Sequence, residues 1–398
     1  MLVRAVYARA LVISALIALS TSGASCSQLA RQNIAVIGVS LPVAGSEGSD
    51  GLEALHAIEL ALDQANASPP EGLRWTIELR DTSRRGFVNP HEDEGRDTTL
   101  DAPHGADDLR AFAANPRIVA VLGPMTSDVA RAEIPVATRA GLALVSASAR
   151  EADLTAQPST FFRLCPSRDD DSEAAAMAAR WLGARGAFVV DDAEPHGARL
   201  ANLFARWFAR DDGVVLGRLS VRDAPSFQLL RARLAAVRPD LVAFGGPDPT
   251  NVLLVPPSAV SSVLDPRRVA LMGDPGYLAP LAARYSTIWE ADLPDTAEAA
   301  RFKRVYRARY GDAPRRVAAY YYAATQYLTR AIESAYEDDG GFPSRSDVIA
   351  ALRKQRALQT LVGPIAFTAL GDLRRARLSL VRIAGTSYQR IRDIVVSR

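Results

Sequence analysis

The stretch VLGPMTSDVARAEIPVATRAGLALVSASA, Val121 to Ala149, decides how the rest of the chain is read. A short apolar run ends in Gly123-Pro124, and small polar residues follow at Thr126, Ser127 and Asp128. An amphipathic stretch then leads through Gly141 to a second apolar run, which ends in Ser146-Ala147-Ser148-Ala149. Continuous apolar runs of this length suit strands buried on both faces of a parallel sheet. The unit is strand, helix, strand, with small residues at both strand ends. In open α/β sheets those ends are where ligands bind. Ser or Thr at the start of the helix caps it. The same helix end presents unpaired N–H groups and the positive pole of its dipole, which suit a carboxylate.

The pattern extends in both directions. Strands are expected at 33–42, 75–81, 117–124, 142–148, 187–193, 214–221, 239–246, 267–274 and 286–292, with helices such as 51–66, 171–186 and 198–211 between them. Repeated β-α units imply doubly wound parallel sheets. The strands are too many for one compact sheet, so two α/β lobes are the simpler solution. The polar stretch 82–105, rich in turn formers, reads as a long surface loop, and 247–266 is a second, weaker irregularity.

The chain has 398 residues, 48% hydrophobic and 23% charged, which is an ordinary globular composition for two to three domains. Lys+Arg 47 against Asp+Glu 45 leaves a formal charge of +2, which gives no reason to expect nucleic acid or a generally anionic partner. Arg4 and Arg9, the apolar run 10–19 and the small residues after it form a secretory signal peptide over residues 1–25. The apolar run is too short to span a bilayer. Two readings of its end stay open. Ser22-Gly23-Ala24 fits a cleavage site, whereas Ala24-Ser25-Cys26 resembles the end of a bacterial lipobox, which would place a lipid on Cys26. The only other cysteine, Cys165 in FFRLCPS, has no activating partner nearby and reads as a packing residue.

Enzyme motifs are missing. There is no G-x-x-x-x-G-K-[ST], no G-x-G-x-x-G after the first strand, and no G-x-S-x-G, H-E-x-x-H or C-x-x-C. His56 lies inside a helix pattern, and His91 and His104 match no metal-ligand spacing. The expectation is a non-enzymatic protein without metal or cofactor.

A series of segments occurs in a telling order: IELALDQAN ending at Asn66, ELRDTS with Asp81, VLGPMTSDVA, ALVSASAREADLT, FFRLCPSRDD with Asp170, VVDDAEPHGARLA, RPDLVAFGG, FKRVYRARYGDAP, AYYYAATQYLTRAI and VGPIAFTALGD. Together they resemble the type I periplasmic substrate-binding proteins of the leucine/isoleucine/valine-binding family, receptors of ABC importers. The resemblance implies two Rossmann-like lobes joined by three crossovers, with a ligand cleft that closes by hinge motion. It divides the chain into 33–161 plus 288–371 as lobe 1 and 162–287 plus 372–398 as lobe 2. It further implies export to the periplasm or the outer face of the inner membrane, an ABC permease as partner, and a small polar, amino acid-like ligand. A ligand-sensing or regulatory protein of the same fold, without a transporter, is the alternative.

Site residues carried over by the resemblance are Ser127, Ser148, Ala149 and Arg150 on lobe 1. The family commonly has Thr at the last position; Arg150 either clamps an acidic or larger ligand or lies on the rim. His196 stands where an aromatic side chain often stacks on ligand. Asp274 stands in for an acid that the closest family pattern places where Pro275 is, or else caps the next segment. Ser46 and Glu47 occupy an early loop without the family's aromatic, which speaks against a branched-chain aliphatic ligand. Tyr320 and Tyr327 share a helix face and, with Tyr322, read as packing.

Overall fold

The computed structural model describes residues 33–45, 47–70, 72–83, 102–245, 270–272, 284–288, 293, 296–384 and 387–398. Cys26, Ser46, His91, Asp274 and the stretch 247–266 lie outside the described residues.

The first sheet is parallel, in the order β2-β1-β3-β4-β5, from β1 (Asn33–Leu41), β2 (Leu73–Asp81), β3 (Ile118–Leu122), β4 (Ala143–Ser146) and β5 (Phe161–Arg163). Alternate residues of β1 feed opposite faces, as strand geometry requires. Ala35, Ile37, Val39 and Leu41 pack with α1 (Gly48–Ala67) and α8 (Arg316–Asp339), where Tyr321, Tyr327 and Leu328 are buried. Val36 joins the other face, against Leu109 and Phe112 of α2 (Ala102–Ala114) and Val136 of α3 (Ser127–Ala140). Beside α1 lies α7 (Ala297–Tyr310), with the rings of His56 and Tyr310 stacked 4.0 Å apart. The polar stretch 82–105 is therefore not loop throughout. Its last residues begin α2, because Leu109 and Phe112 sit one helical turn apart and both bury; His104 lies exposed on that helix.

The second sheet runs β14-β13-β10-β9-β8-β6-β7. Its parallel part is β6 (Gly186–Asp191), β7 (Val214–Ser220), β8 (Leu241–Gly245), β9 (Ala270–Met272) and β10 (Arg284–Ile288). One face packs Phe204 and Phe208 of α5 (Pro195–Arg210) and the alanines of α4 (Arg168–Trp181); the other packs Phe227 and Leu230 of α6 (Ala224–Val237). β7 is an edge strand whose residues alternate exposed and half-buried, unlike the doubly buried strands beside it. An antiparallel pair, β13 (Arg375–Ala384) and β14 (Ser387–Ser397), closes the far edge beside β10. A short hairpin, β11 (Leu358–Thr360) and β12 (Gly363–Ile365), follows α9 (Arg345–Lys354).

Three connections pass between the sheets: β5 to α4, β10 to α7, and β12 to β13. The first leaves later than expected. Phe162 and Arg163 still pair with Val145 and Ser146 of β4, so the chain quits the first sheet after Arg163, not between Phe161 and Phe162. The third connection returns against the first. Arg163 N donates to Gly371 O at 2.8 Å, and a Cβ on Gly371, whose φ is +92°, would stand 2.0 Å from Phe161 O. Only glycine permits that approach.

The Arg163 side chain is 1% exposed. It donates to Asp372 Oδ1 from Nε (2.9 Å) and Nη2 (2.5 Å), to Thr155 Oγ1 (2.7 Å) and to Glu151 O (2.5 Å). A planar guanidinium with five fixed donors suits such a junction. Removing one partner of a buried pair strands the other charge, at a cost of about 3–5 kcal/mol. Asp372→Ala is therefore expected to lose about that much stability in urea denaturation, while Arg163→Met with Asp372→Leu loses less, because no buried charge remains. Equal losses would assign the effect to geometry instead of charge.

Candidate functional site

The C-terminal ends of β3 and β4 meet the start of α3, as the opening stretch of sequence implied. Gly123-Pro124 is a cis peptide, and Gly123, with φ +112°, passes so close to β1 that a Cβ would lie 2.1 Å from Ser40 O. Thr126 caps α3, its hydroxyl facing Val129 N at 3.5 Å. That leaves Ser127 for another task. Its Oγ accepts from Arg150 N (3.1 Å) and Glu151 N (3.2 Å). Both lone pairs are thereby used, and the capacity left to this hydroxyl is its proton. A donor at a helix N-terminus suits an anionic oxygen.

The neighbouring strand end is locked from beneath by a residue whose part was not legible in sequence. Ser146 is fully buried; its hydroxyl donates to Pro124 O (2.7 Å) and accepts from Ser148 N (3.3 Å) and Ala149 N (3.0 Å). Ser148 Oγ donates to Met125 O (2.7 Å) and lies 3.1 Å from the hydroxyl of buried Tyr321. Ala149 sends its side chain into the core and gives its amide to Ser146. Ser148 and Ala149 thus shape the strand end, and their polar groups are engaged within the lobe.

Arg150 turns towards the second lobe. Its Nε donates to Pro166 O at 3.1 Å, and its guanidinium pairs with Asp171 on α4; the two side chains are 12% and 17% exposed. Asp171 Oδ2 also lies 3.7 Å from Arg168 Nη1, so this one carboxylate serves two guanidiniums. Asp171 and Arg168 also border a pocket between α4 and α5, floored by Gly245, Ser286 and Thr287 at the ends of β8 and β10. His196, at the start of α5, is exposed, with Nδ1 3.9 Å from Glu151 Oε1. Arg199, one turn on, pairs with the other oxygen of Glu151 at 2.5 Å. Glu151 is the residue that sequence reading missed. Its amide is held by Ser127, its carbonyl by Arg163, and its carboxylate by the second lobe. Nothing in its sequence neighbourhood points to partners 48 residues away.

Beneath the strand ends lies a buried acid. Glu133 of α3 is 0% exposed; Ser40 Oγ donates to its Oε1 at 2.5 Å, and its Oε2 has no hydrogen-bond partner. Burial pushes this carboxyl well above the usual glutamate range, with the Asp108 charge adding to the rise. A carboxyl raised on folding binds more protons in the native than in the unfolded state, so its contribution is full at low pH and is lost as pH rises past about 4.5 towards the native value. The stability advantage of Glu133→Gln over the parent is expected to grow steadily from pH 5 to pH 8 in thermal melts; a difference flat with pH would contradict a neutral Glu133. Among the described residues no group of three or more His, Cys, Asp or Glu is placed to hold a metal, and no helix is long and apolar enough to cross a membrane.

Several solved structures share this architecture. An ABC transporter substrate-binding protein from Desulfitobacterium hafniense, in complex with Leu, is 19% identical with a TM-score of 0.67, over 90% of this chain and 100% of that one. A putative branched-chain amino acid ABC transporter protein from Rhodospirillum rubrum is 19% identical with a TM-score of 0.68, over 89% and 99%. A solute-binding protein of an ABC transporter from Rhodopseudomonas palustris BisB5, in complex with 3,4-dihydroxybenzoic acid, is 17% identical with a TM-score of 0.65, over 92% and 98%. At such identities the likeness establishes the fold. No curated protein matches the sequence. The family model for periplasmic binding proteins matches residues 35–384, nearly the whole described chain, and the chain belongs to that family.

Proposed function

We propose that this protein is the exported solute receptor of an ABC importer, which closes its two lobes over a small polar solute carrying a carboxylate. The observation that carries the reading is Ser127. Its remaining proton, on the first turn of α3 and at the C-terminal end of a parallel sheet, is matched to one anionic oxygen. Family membership supports the receptor role, and an ABC permease is the partner it implies. The ligands named for two structural relatives, leucine and 3,4-dihydroxybenzoic acid, differ in body and share a carboxylate, which is the group this helix end suits. Arg150 and Arg168 share the one carboxylate of Asp171, which favours an acidic group on the solute. An amino acid fits, with His196 and Asp274 as its contacts from lobe 2 and Ser46 from the early loop.

Losing one hydrogen bond to a charged group costs about 1.5–3 kcal/mol, roughly ten- to more than a hundredfold in affinity. A thermal-shift panel of amino acids and aromatic acids identifies the solute, since only a ligand bound by the native state raises its stability. Calorimetry of Ser127→Ala is then expected to show the loss in affinity. Unchanged affinity would mean that the carboxylate lies elsewhere. Export leaves a chain that begins near Ser25 or carries lipid at Cys26, and intact mass of the protein from membrane and periplasmic fractions distinguishes the two.

A further inference from the structure

A cavity of about 190 Å³ lies where the first and third crossovers meet the β11–β12 hairpin. Its wall is mostly apolar: Leu164 and Pro166 come from the first crossover, Leu373 from the third, Ile365 from β12 and Val395 from β14. Of the residues that line it, only Pro166 touches the site at the end of β4, through its carbonyl, which accepts from Arg150 Nε. Two guanidiniums, those of Arg375 and Arg377, stand in this wall on the same side of β13, two residues apart.

The two cations are not equivalent. Arg377 donates to Asp393 Oδ2 from Nε (3.0 Å) and Nη2 (2.6 Å), so its charge is balanced. Arg375 is exposed, and its guanidinium makes no hydrogen bond or ion pair with any described residue. The cavity therefore offers an apolar body site and one unbalanced positive charge. An apolar cavity of roughly 150 Å³ holds a benzene molecule. The volume here suits one six-membered ring or a branched alkyl group with a carboxylate beside it.

We infer that this cavity is a second ligand site, for a small acid with an apolar body and a single carboxylate, which pairs with Arg375. The ring fills the space among Leu164, Ile365 and Leu373, and the carboxylate faces the guanidinium. Because its wall takes residues from two crossovers, the β11–β12 hairpin and the second sheet, a ligand there touches the segments through which the lobes are joined.

The test uses cyclohexanecarboxylate and its neutral isostere cyclohexanecarboxamide, titrated calorimetrically into the full protein. The acid is expected to bind about tenfold more tightly than the amide, the margin of a charge-assisted hydrogen bond. Arg375→Gln, an exposed and fold-neutral change, removes that preference. Val395→Trp, at a strand position already 36% exposed, fills the cavity and abolishes binding of both probes. Ser127→Ala leaves the acid's affinity within about twofold, because distant sites act independently. Three outcomes overturn the inference: no binding of the acid, an affinity unchanged in both Arg375→Gln and Val395→Trp, or an affinity lost in Ser127→Ala alone, which would place the acid in the cleft. Failure of the cleft reading leaves the Arg375 and Val395 results standing, so the two sites are judged separately.

Discussion

The architecture depends on the contact between Arg163 and Asp372. A guanidinium that is 1% exposed needs its counter-charge and its acceptors to arrive together, and they arrive from two separate stretches of chain, Asp372 from one and Glu151 and Thr155 from the other. This requirement sets the place of the third crossover against the first, and the glycine at 371 makes the approach sterically possible. The same arginine holds Glu151 O, so the hinge and the end of β4 share one anchor. A buried pair of this kind is weak evidence for net stability. Its consequence is geometric, since one arrangement satisfies every donor and displaced arrangements leave a charge stranded.

From that anchor the β4 end reaches the second lobe twice, through consecutive residues. Arg150 pairs with Asp171 on α4, and Glu151 pairs with Arg199 on α5. The Arg150–Asp171 pair is largely buried, whereas the Glu151–Arg199 pair stays partly solvated, and such a pair contributes little, on the order of 0–1 kcal/mol. That scale suits a joint between lobes that must open and close, because water can replace either partner when they separate. Within the first lobe the strand ends are held by tight contacts, the Ser146 network and the Ser40–Glu133 bond. Rigid ends on a movable joint are what hinge closure around a ligand requires.

How legible the site was depended on the range of the forces involved. Ser127 was found because its role follows from position: a small hydroxyl residue after Gly-Pro, at the start of a helix, at the end of a buried strand. His196 was reached through the resemblance alone and lies exposed at the head of α5, near Glu151. The choice at Arg150 between a clamp on the ligand and a place on the rim was not legible, because a charge seen in sequence says nothing about its partner, and Asp171 lies 21 residues away on another element. The bonds of Glu151 and Ser146 were not legible for the same reason. One is an acid beside an arginine, the other a serine ending a strand, and neither shows a spacing that marks its bonds.

The sequence by itself determined the two-lobe α/β organisation. Continuous apolar runs fix which segments become buried strands, and the period of the intervening stretches fixes helices between them; both signals are local. It also placed the strand ends rich in small residues, where a ligand can approach backbone. Tertiary structure alone decided the rest. The antiparallel β13–β14 edge, the exit of the chain after Arg163 and the early start of α2 depend on which surfaces remain to be covered once the sheets form. The pairing of Arg163, Arg150 and Glu151 depends on separations of up to 209 residues in the chain, which no local pattern encodes. Hydrophobic periodicity is read along the chain, whereas charge compensation is settled only where distant segments meet.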